Sequence, residues 1–245
     1  MKKKFESTYG RTIRGIFFVI NPVKKKVIKT TCIIHKYINS LAIEILKGRG
    51  NENEYKFFSN NIEFINEGTV WADQDFKSTN HFFDFEKGRG LYGFSNLIDE
   101  GQKYYNMSIN YLKAGDKKKS LFYFGAACHI IQDSTVPQHV NNRLLNSHRN
   151  FEMWIIQKFL TGYRFMKADE ILRSESIRDY VKKNAIVANK IYNRCFTIKD
   201  KENRYNSISN YIICQAQMST SGLMMDYYDK YKAICEKDSS SKMVM

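Results

Sequence analysis

Proline and long apolar runs are scarce in this 245-residue chain. Its two prolines, Pro22 and Pro137, favour long uninterrupted helices over the turn-rich spacing of a β-sandwich. No stretch approaches the roughly 20 apolar residues of a transmembrane helix. The apolar run from Gly15 to Ile20 is too short for the core of a signal peptide. With no recognisable signal peptide or membrane span, the sequence predicts a cytoplasmic or membrane-peripheral protein.

Paired cysteines and acidic residues are also in short supply. The five cysteines are odd in number and show no close pairing, which argues against a disulfide framework. The 25 acidic residues are outnumbered by 39 lysines and arginines, so the formal net charge is +14. Residues 1–29 hold nine of these cations and one acid. Such a basic arm suits a polyanionic surface, either anionic lipid or nucleic acid, or is simply a solvated tail.

Apolar residues recur at helical spacing along most of the chain, and no strand-like alternation persists. Seven segments carry the pattern: 30–47, 54–66, 93–113, 117–133, 147–166, 175–195 and 205–234. The sequence therefore predicts an all-α fold, a single-domain bundle of about seven helices. Residues 68–92, rich in Asp, Gly, Asn and aromatic side chains, are predicted to form one long functional loop. The predicted domain spans 30–235, between the basic arm 1–29 and a frayed tail 236–245.

Histidine is sparse as well, but three of the five histidines fall within 20 residues. His129 and Asp133 lie four positions apart on a predicted helix, so their side chains share one face. His148 and Glu152 repeat this spacing on the next helix. Each pair offers one nitrogen and one oxygen ligand, a combination that zinc accepts. With His139 in the connection between the two helices, the pattern predicts a metal site.

The sequence around these residues resembles the bacterial zinc-dependent phospholipase C family, whose members include the catalytic domain of clostridial alpha-toxin. The resemblance begins at TTCIIHKYINSLAIEIL and continues through EGTVWADQD and HFFDFEKGRG. It is strongest in SLFYFGAACHIIQDSTVPQHV followed by HRNFE, and it closes at QAQMSTSGLMMDYYDKY. It covers about residues 30 to 232, and all five histidines fall on ligand positions of the family.

The resemblance implies a cofactor of two or three zinc ions. The metal ligands that it implies are His35, His81, His129, Asp133, His139, His148 and Glu152. One ion would be held by His81, His129 and Asp133. A second ion would be held by His139, His148 and Glu152. A third ion would add His35 to a bridging Asp133. Asp73 matches the catalytic aspartate of the family.

Two departures from the family pattern bear on these expectations. The mature chains of the family begin with a tryptophan whose amino group and carbonyl complete the third zinc site, whereas residues 20–28 contain no tryptophan. Cys32, three residues before His35, would supply a thiolate ligand instead, or it is a buried structural cysteine. Asp75 is the alternative to Asp73 as the catalytic residue, because the loop that follows Asp73 is shorter than usual.

The function implied by the resemblance is that of a phospholipase C, which hydrolyses a phospholipid at a membrane surface to diacylglycerol and a phosphorylated headgroup. Gln74 and Ser78 stand where the family has its choline-pocket side chains, so the headgroup stays open. A zinc-dependent nuclease is the alternative within the same chemistry, because a chain of charge +14 attracts nucleic acid. Against it, the HRNFE segment matches the phospholipase version. A third hypothesis is a non-catalytic, zinc-stabilised domain that binds a membrane or a partner.

Overall fold

The computed structural model describes residues 32–74, 81, 95–140 and 147–243, with side chains as far as Glu236. Nine helices lie within these ranges: α1 (32–48), α2 (Glu52–Ser59), α3 (Ile62–Ala72), α4 (Leu97–Lys113), α5 (Lys117–Asp133), α6 (Pro137–Val140), α7 (Ser147–Leu160), α8 (Ile177–Cys195) and α9 (Lys201–Met243). The described ranges contain no strand, so the all-α prediction is confirmed. None of the described helices is both long and apolar enough to span a bilayer.

The segment predicted as one helix over 54–66 is two helices, α2 and α3. Asn60 and Asn61 separate them, because asparagine side chains compete with helical hydrogen bonding and favour helix ends. The Asn61 side chain donates a 2.6 Å hydrogen bond back to the Phe57 carbonyl across this break. A short polar interruption within an apolar period is therefore what the prediction missed.

The end of α7 also differs from the prediction, because Gly162 terminates the helix at Leu160. Gly162 has a φ of +91°, which glycine adopts without steric cost. Its N–H donates to the Phe159 carbonyl, and the next N–H along the chain donates to the Lys158 carbonyl. These two bonds form a Schellman motif. The single turn of α6 was not predicted at all, since four residues are too few to show a period.

Part of the predicted organisation lies outside the described residues. This applies to the basic arm 1–29 and to most of the predicted loop, namely 75–80 and 82–94. Residues 68–72, also assigned to that loop, instead form the last turn of α3. The division into arm, domain and tail stays a prediction.

Among the described residues, two apolar clusters form the core, and a buried polar layer separates them along α1 and α9. On α1, Ile38 belongs to one cluster and Ala42 to the other, with the fully buried Asn39 between them. On α9, Ala216 belongs to the same cluster as Ile38, and Leu223 belongs to the same cluster as Ala42. The buried polar residues between these two are Gln217, Ser219, Thr220 and Ser221. This layer supplies hydrogen-bonding groups in the interior of the bundle, where buried polar side chains need partners.

Two glycines allow α3 and α5 to pack in very close contact. A Cβ on Gly68 would lie 1.7 Å from the Phe122 carbonyl oxygen, and one on Gly125 would lie 1.9 Å from the Ile65 carbonyl oxygen. No other residue type fits at these distances without moving a backbone. Because Asp73 follows α3 directly, this contact fixes the position of its carboxylate relative to the C-terminal end of α5.

Candidate metal centre

Histidine and carboxylate side chains from five parts of the chain meet at the C-terminal end of α5. They are His35 from α1, His81 from the segment between α3 and α4, His129 and Asp133 from α5, His139 from α6, and His148 and Glu152 from α7. In the described part of the chain, three sets have ligand atoms within 4.8 Å of one another: His35, His129 and Asp133; Asp73, His81 and His129; and His139, His148 and Glu152. All seven ligands implied by the resemblance, together with Asp73, are thus brought together.

Asp133 lies at the centre of this cluster. Its Oδ2 is 2.8 Å from His81 Nδ1 and 3.1 Å from His129 Nε2. Its Oδ1 is 3.5 Å from His35 Nε2 and 4.0 Å from His139 Nε2. The Asp133 side chain is only 5% exposed, so one buried carboxylate faces four imidazoles from four separate parts of the chain.

The second group of ligand atoms lies between α6 and α7. His148 Nε2 is 2.9 Å from Glu152 Oε1 and 2.9 Å from His139 Nε2. His139 Nε2 is 3.6 Å from Glu152 Oε1. These three atoms surround a common point, as the ligands of one ion do. Since His139 also approaches Asp133, the two groups are contiguous.

Two hydrogen bonds outside the cluster fix the orientation of its histidines. His35 Nδ1 lies 2.8 Å from the amide oxygen of Gln132, and His139 Nδ1 lies 2.8 Å from the His81 carbonyl oxygen. An acceptor at Nδ1 leaves Nε2 available as a metal ligand. The Gln132 amide is itself held, because its Nε2 donates to Asn39 Oδ1 at 2.7 Å. Sequence reasoning missed Gln132, since nothing local shows that it contacts α1.

Two buried ring nitrogens of the cluster lack a hydrogen-bond partner within the described part of the chain. They are His81 Nε2 and His129 Nδ1, and these two residues are 0% and 1% exposed. A buried polar atom without a partner costs free energy, and a metal ion would satisfy it. Imidazole nitrogens combined with carboxylate oxygens are a donor set that suits zinc. The residues present therefore fit a zinc ion.

The charges of the site determine its protonation when no metal is bound. Burial alone would lower the pKa of His139, but the carboxylates of Asp133 and Glu152 outweigh it and raise that pKa to about 9. For His35, burial and the neighbouring His129 lower the pKa to about 4. Burial would raise the pKa of Glu152, yet the neighbouring imidazoles of His139 and His148 lower it to about 2. A protonated His139 between two carboxylates thus balances the metal-free site.

Asp73 lies beside the buried imidazoles, directly after α3. Its carboxylate is half-buried and close to the ring nitrogens of His81 and His129. Its Oδ2 accepts a hydrogen bond from Cys32 Sγ at 3.5 Å. Asp75, the alternative catalytic residue, lies outside the described residues, so the structure describes only one of the two candidates.

An all-α bundle with a histidine and carboxylate cluster between its helices is typical of proteins that bind metal within a helical bundle. A comparison with protein families narrows this class to one family. The zinc dependent phospholipase C family matches residues 34–205, which is most of the chain. The chain therefore belongs to this family, as its resemblance predicted, and the family's zinc dependence makes zinc the relevant metal. No curated protein matches the chain in sequence.

Two solved structures share the fold. The alpha toxin of Clostridium absonum superposes with a TM-score of 0.65 at 18% identity, over 84% of this chain and 64% of that one. The alpha-toxin of Clostridium perfringens, isolated from an avian strain, superposes with a TM-score of 0.64 at 18% identity, over 82% of this chain and 63% of the toxin. This chain thus spans slightly less than two thirds of the toxins' length. At such low identity the likeness shows the all-α fold.

Proposed function

We propose that the chain is a phospholipase C that binds two or three zinc ions and hydrolyses a phospholipid to diacylglycerol and a phosphorylated headgroup. The observation that carries this proposal is the meeting of the histidine and carboxylate side chains around Asp133, with buried ring nitrogens of His81 and His129 left unpartnered among the described residues. Zinc bound there would polarise a phosphoryl oxygen and lower the pKa of water.

The geometry supports three positions for metal. Asp133 suits a bridging role, because its Oδ2 faces His81 and His129 whereas its Oδ1 faces His35. The first position would use His81, His129 and Asp133, and the bridged position would use His35. The remaining position would use the group between α6 and α7, namely His139, His148 and Glu152. Closely spaced ions at these positions would stabilise the attacking and leaving oxygens of a phosphoryl displacement.

The substrate would approach from the side of α7, where two of the described ligands are partly exposed. The Glu152 side chain is 33% exposed and that of His148 is 15% exposed, whereas His129 is 1% exposed. The half-buried carboxylate of Asp73 would orient the attacking water and accept its proton. The new bond joins the water oxygen to phosphorus, and the bond from phosphorus to the glycerol oxygen breaks. The leaving glycerol oxygen takes up a proton, from the protonated Asp73 or from solvent, and diacylglycerol departs as an alcohol.

The proposal is tested by assaying the zinc-loaded chain on vesicles of phosphatidylcholine, phosphatidylethanolamine and phosphatidylglycerol, and on a single-stranded oligonucleotide. We expect release of phosphorylated headgroup and an intact oligonucleotide. Asp73→Asn should reduce the rate at least 100-fold, as loss of a general base does (roughly 10²–10⁴-fold). Glu67→Gln, which changes an exposed carboxylate on the same helix α3, should leave the rate unchanged.

Other outcomes point to the competing hypotheses. Cleavage of the oligonucleotide without release of headgroup would make the protein a nuclease. Hydrolysis of neither substrate by a zinc-loaded chain would favour a non-catalytic, zinc-stabilised domain. If Asp73→Asn hydrolysed lipid as fast as the parent chain, the phospholipase proposal would stand and the role given to Asp73 would be wrong.

A further inference from the structure

The outer face of α8 carries a row of exposed side chains at a spacing of four residues. Neighbours in such a row lie one above the other on the surface of a helix. All five members are exposed, and they are Arg178, Lys182, Ile186, Lys190 and Arg194. Four of the five are cations. The fifth, Ile186, lies at the centre of the row and is 51% exposed.

This helix holds most of the net positive charge that lies outside the basic arm. Residues 1–29 account for +8 of the formal net charge of +14, so the rest of the chain carries +6. With Lys183 beside the row, α8 has five cations and one acid, which is +4. The acid, Asp179, accepts a hydrogen bond from the Ser176 hydroxyl at the start of the helix. The positive charge is therefore concentrated on one exposed helix.

The cations of α8 differ from the lysines of residues 117–119 in having no partner among the described residues. Lys117 lies over the ring of Phe57 at 4.6 Å, and Lys119 pairs with Asp116 at 3.0 Å. No cation of α8 forms an ion pair or a ring contact with another described residue. Like charges four positions apart also repel each other, which destabilises a helix. An anionic surface lying against the row would remove this repulsion.

The apolar side chains on this helix favour a lipid surface over nucleic acid. Ile186 lies between two pairs of cations and has no polar group to offer a phosphate backbone. Phe196, directly beyond the end of α8, is 67% exposed. Helices that lie in a membrane interface combine cations with exposed apolar residues, which enter the boundary between headgroups and acyl chains. The α8 face has both components.

We propose that the outer face of α8 docks the protein onto an anionic lipid bilayer. Its cations would lie among the lipid phosphates, and Ile186 and Phe196 would enter the boundary beneath them. On the inner side of the helix, the Asn184 amide donates to the Ile131 carbonyl at 3.0 Å and to the Ser134 hydroxyl at 3.1 Å. These bonds join α8 to the end of α5 where the candidate metal ligands meet. The inference goes beyond the proposed function and does not require hydrolysis.

The experiment measures binding of the zinc-loaded, full-length chain to vesicles of phosphatidylcholine, with and without phosphatidylglycerol, and to a single-stranded oligonucleotide. Stopped-flow light scattering on ice records vesicle binding directly after mixing, so that hydrolysis has little effect. We expect binding to the anionic vesicles that weakens as salt is added. Lys182→Gln combined with Lys190→Gln should weaken it about 25-fold, since each cation near such a surface contributes about fivefold.

Two further variants separate the α8 face from net charge. Ile186→Ser leaves the charge unchanged and should weaken vesicle binding about tenfold, because less apolar surface is buried. Lys56→Gln combined with Lys113→Gln removes the same two charges from exposed positions on α2 and α4. This control should bind as the parent does. Circular dichroism verifies that each variant is folded.

The outcomes separate this inference from the proposed function. Unchanged vesicle binding by the folded α8 variants would overturn the inference, as would an equal loss in the Lys56 and Lys113 control. Preferential binding of the oligonucleotide that the α8 variants lose would assign the face to nucleic acid and also overturn it. A chain that docks through α8 but hydrolyses no lipid would leave the inference standing and overturn the proposed function.

Discussion

Gln132 lies outside the candidate metal centre and holds the ring of one candidate ligand, His35. Its amide oxygen fixes the Nδ1 side of His35 at 2.8 Å, and its amide nitrogen donates to Asn39 and to Thr220 in the polar layer. His35 therefore presents Nε2 to Asp133 without having to search other ring orientations. This preorganisation is the reason that groups behind a metal ligand affect metal affinity.

We expect Gln132→Met to weaken zinc binding about 10- to 100-fold, because the ring of His35 loses its acceptor. Competition with a chelating dye measures the affinity, with helical content followed by circular dichroism. Gln157→Met, at an exposed position on α7, is the matched control and should bind zinc as the parent does. Equal affinity in a folded Gln132→Met chain would show that His35 needs no support from Gln132.

The protonation of His139 predicts a pH dependence for zinc binding. Its pKa in the metal-free chain is about 9, so it carries a proton at neutral pH, and that proton must leave before Nε2 binds zinc. Raising the pH towards about 9 should therefore strengthen binding by about tenfold per unit for this proton. Above about pH 9, His139 is already deprotonated, so it no longer contributes to the pH dependence of zinc affinity. His35, with a pKa of about 4, is already neutral and adds nothing in this range.

Zinc titrations between about pH 7 and pH 9 measure this dependence, with a chelator whose own protonation is accounted for. His139→Gln should bind zinc more weakly overall and with a shallower slope against pH, since both the ligand and its proton are gone. An affinity of the parent chain that did not rise over this interval would contradict the protonated state assigned to His139.

At the scale of the helices, the close packing of α3 on α5 is the contact that positions Asp73. Gly68→Ala would place a methyl group 1.7 Å from the Phe122 carbonyl oxygen, which is backbone and yields only if a helix moves. We expect a loss of about 3 kcal/mol in the free energy of unfolding, at the upper end of overpacking costs. That loss corresponds to a fall of about 6–12 °C in the unfolding temperature.

Gly48→Ala is the matched control, because the Cβ would meet nothing within 4 Å at the end of α1. Alanine there should be neutral or stabilising by up to about 1 kcal/mol. Thermal unfolding followed by circular dichroism compares the two variants. An unchanged unfolding temperature for Gly68→Ala would show that α3 and α5 can separate without cost.

For the whole molecule, the proposed metal centre would connect parts of the chain that belong to different apolar clusters. One cluster contains Ile34 of α1 with Phe151 of α7, and the other contains Ile130 of α5. Ligands from α1, α5, α6 and α7 meet in the polar region between them. An ion bound there would stabilise the arrangement of both clusters, because it would bind the folded chain in preference to the unfolded one.

We expect zinc at a thousandfold excess over its dissociation constant to stabilise the chain by about 4 kcal/mol for each site. Per site, chelation should lower the unfolding temperature by about 8–16 °C, measured by calorimetry. Asp133→Asn weakens the central ligand. In this variant, the difference in unfolding temperature between zinc-loaded and chelated protein should be much smaller than in the parent chain. A parent chain that unfolds at the same temperature with and without zinc would contradict a stabilising centre.

Sequence alone determined the features that depend on local spacing. The helical period predicted the class of the fold and, to the residue, the bounds of α5, because 3.6-residue periodicity is a property of a single segment. The spacing of four between His129 and Asp133 predicted a shared helix face for the same reason. The predicted helix boundaries were wrong where one or two residues end a helix, as at Asn60 and Gly162.

Only the tertiary structure decided which distant groups meet. Cys32 contacts Asp73 across 41 positions, and His35 contacts Gln132 across 97. No local pattern encodes such pairs, because they depend on how helices cross. That crossing is set by packing volumes, as where Gly68 lets α3 approach the backbone of α5. The identities of the candidate ligands followed from the sequence, whereas the partners that orient them required the fold.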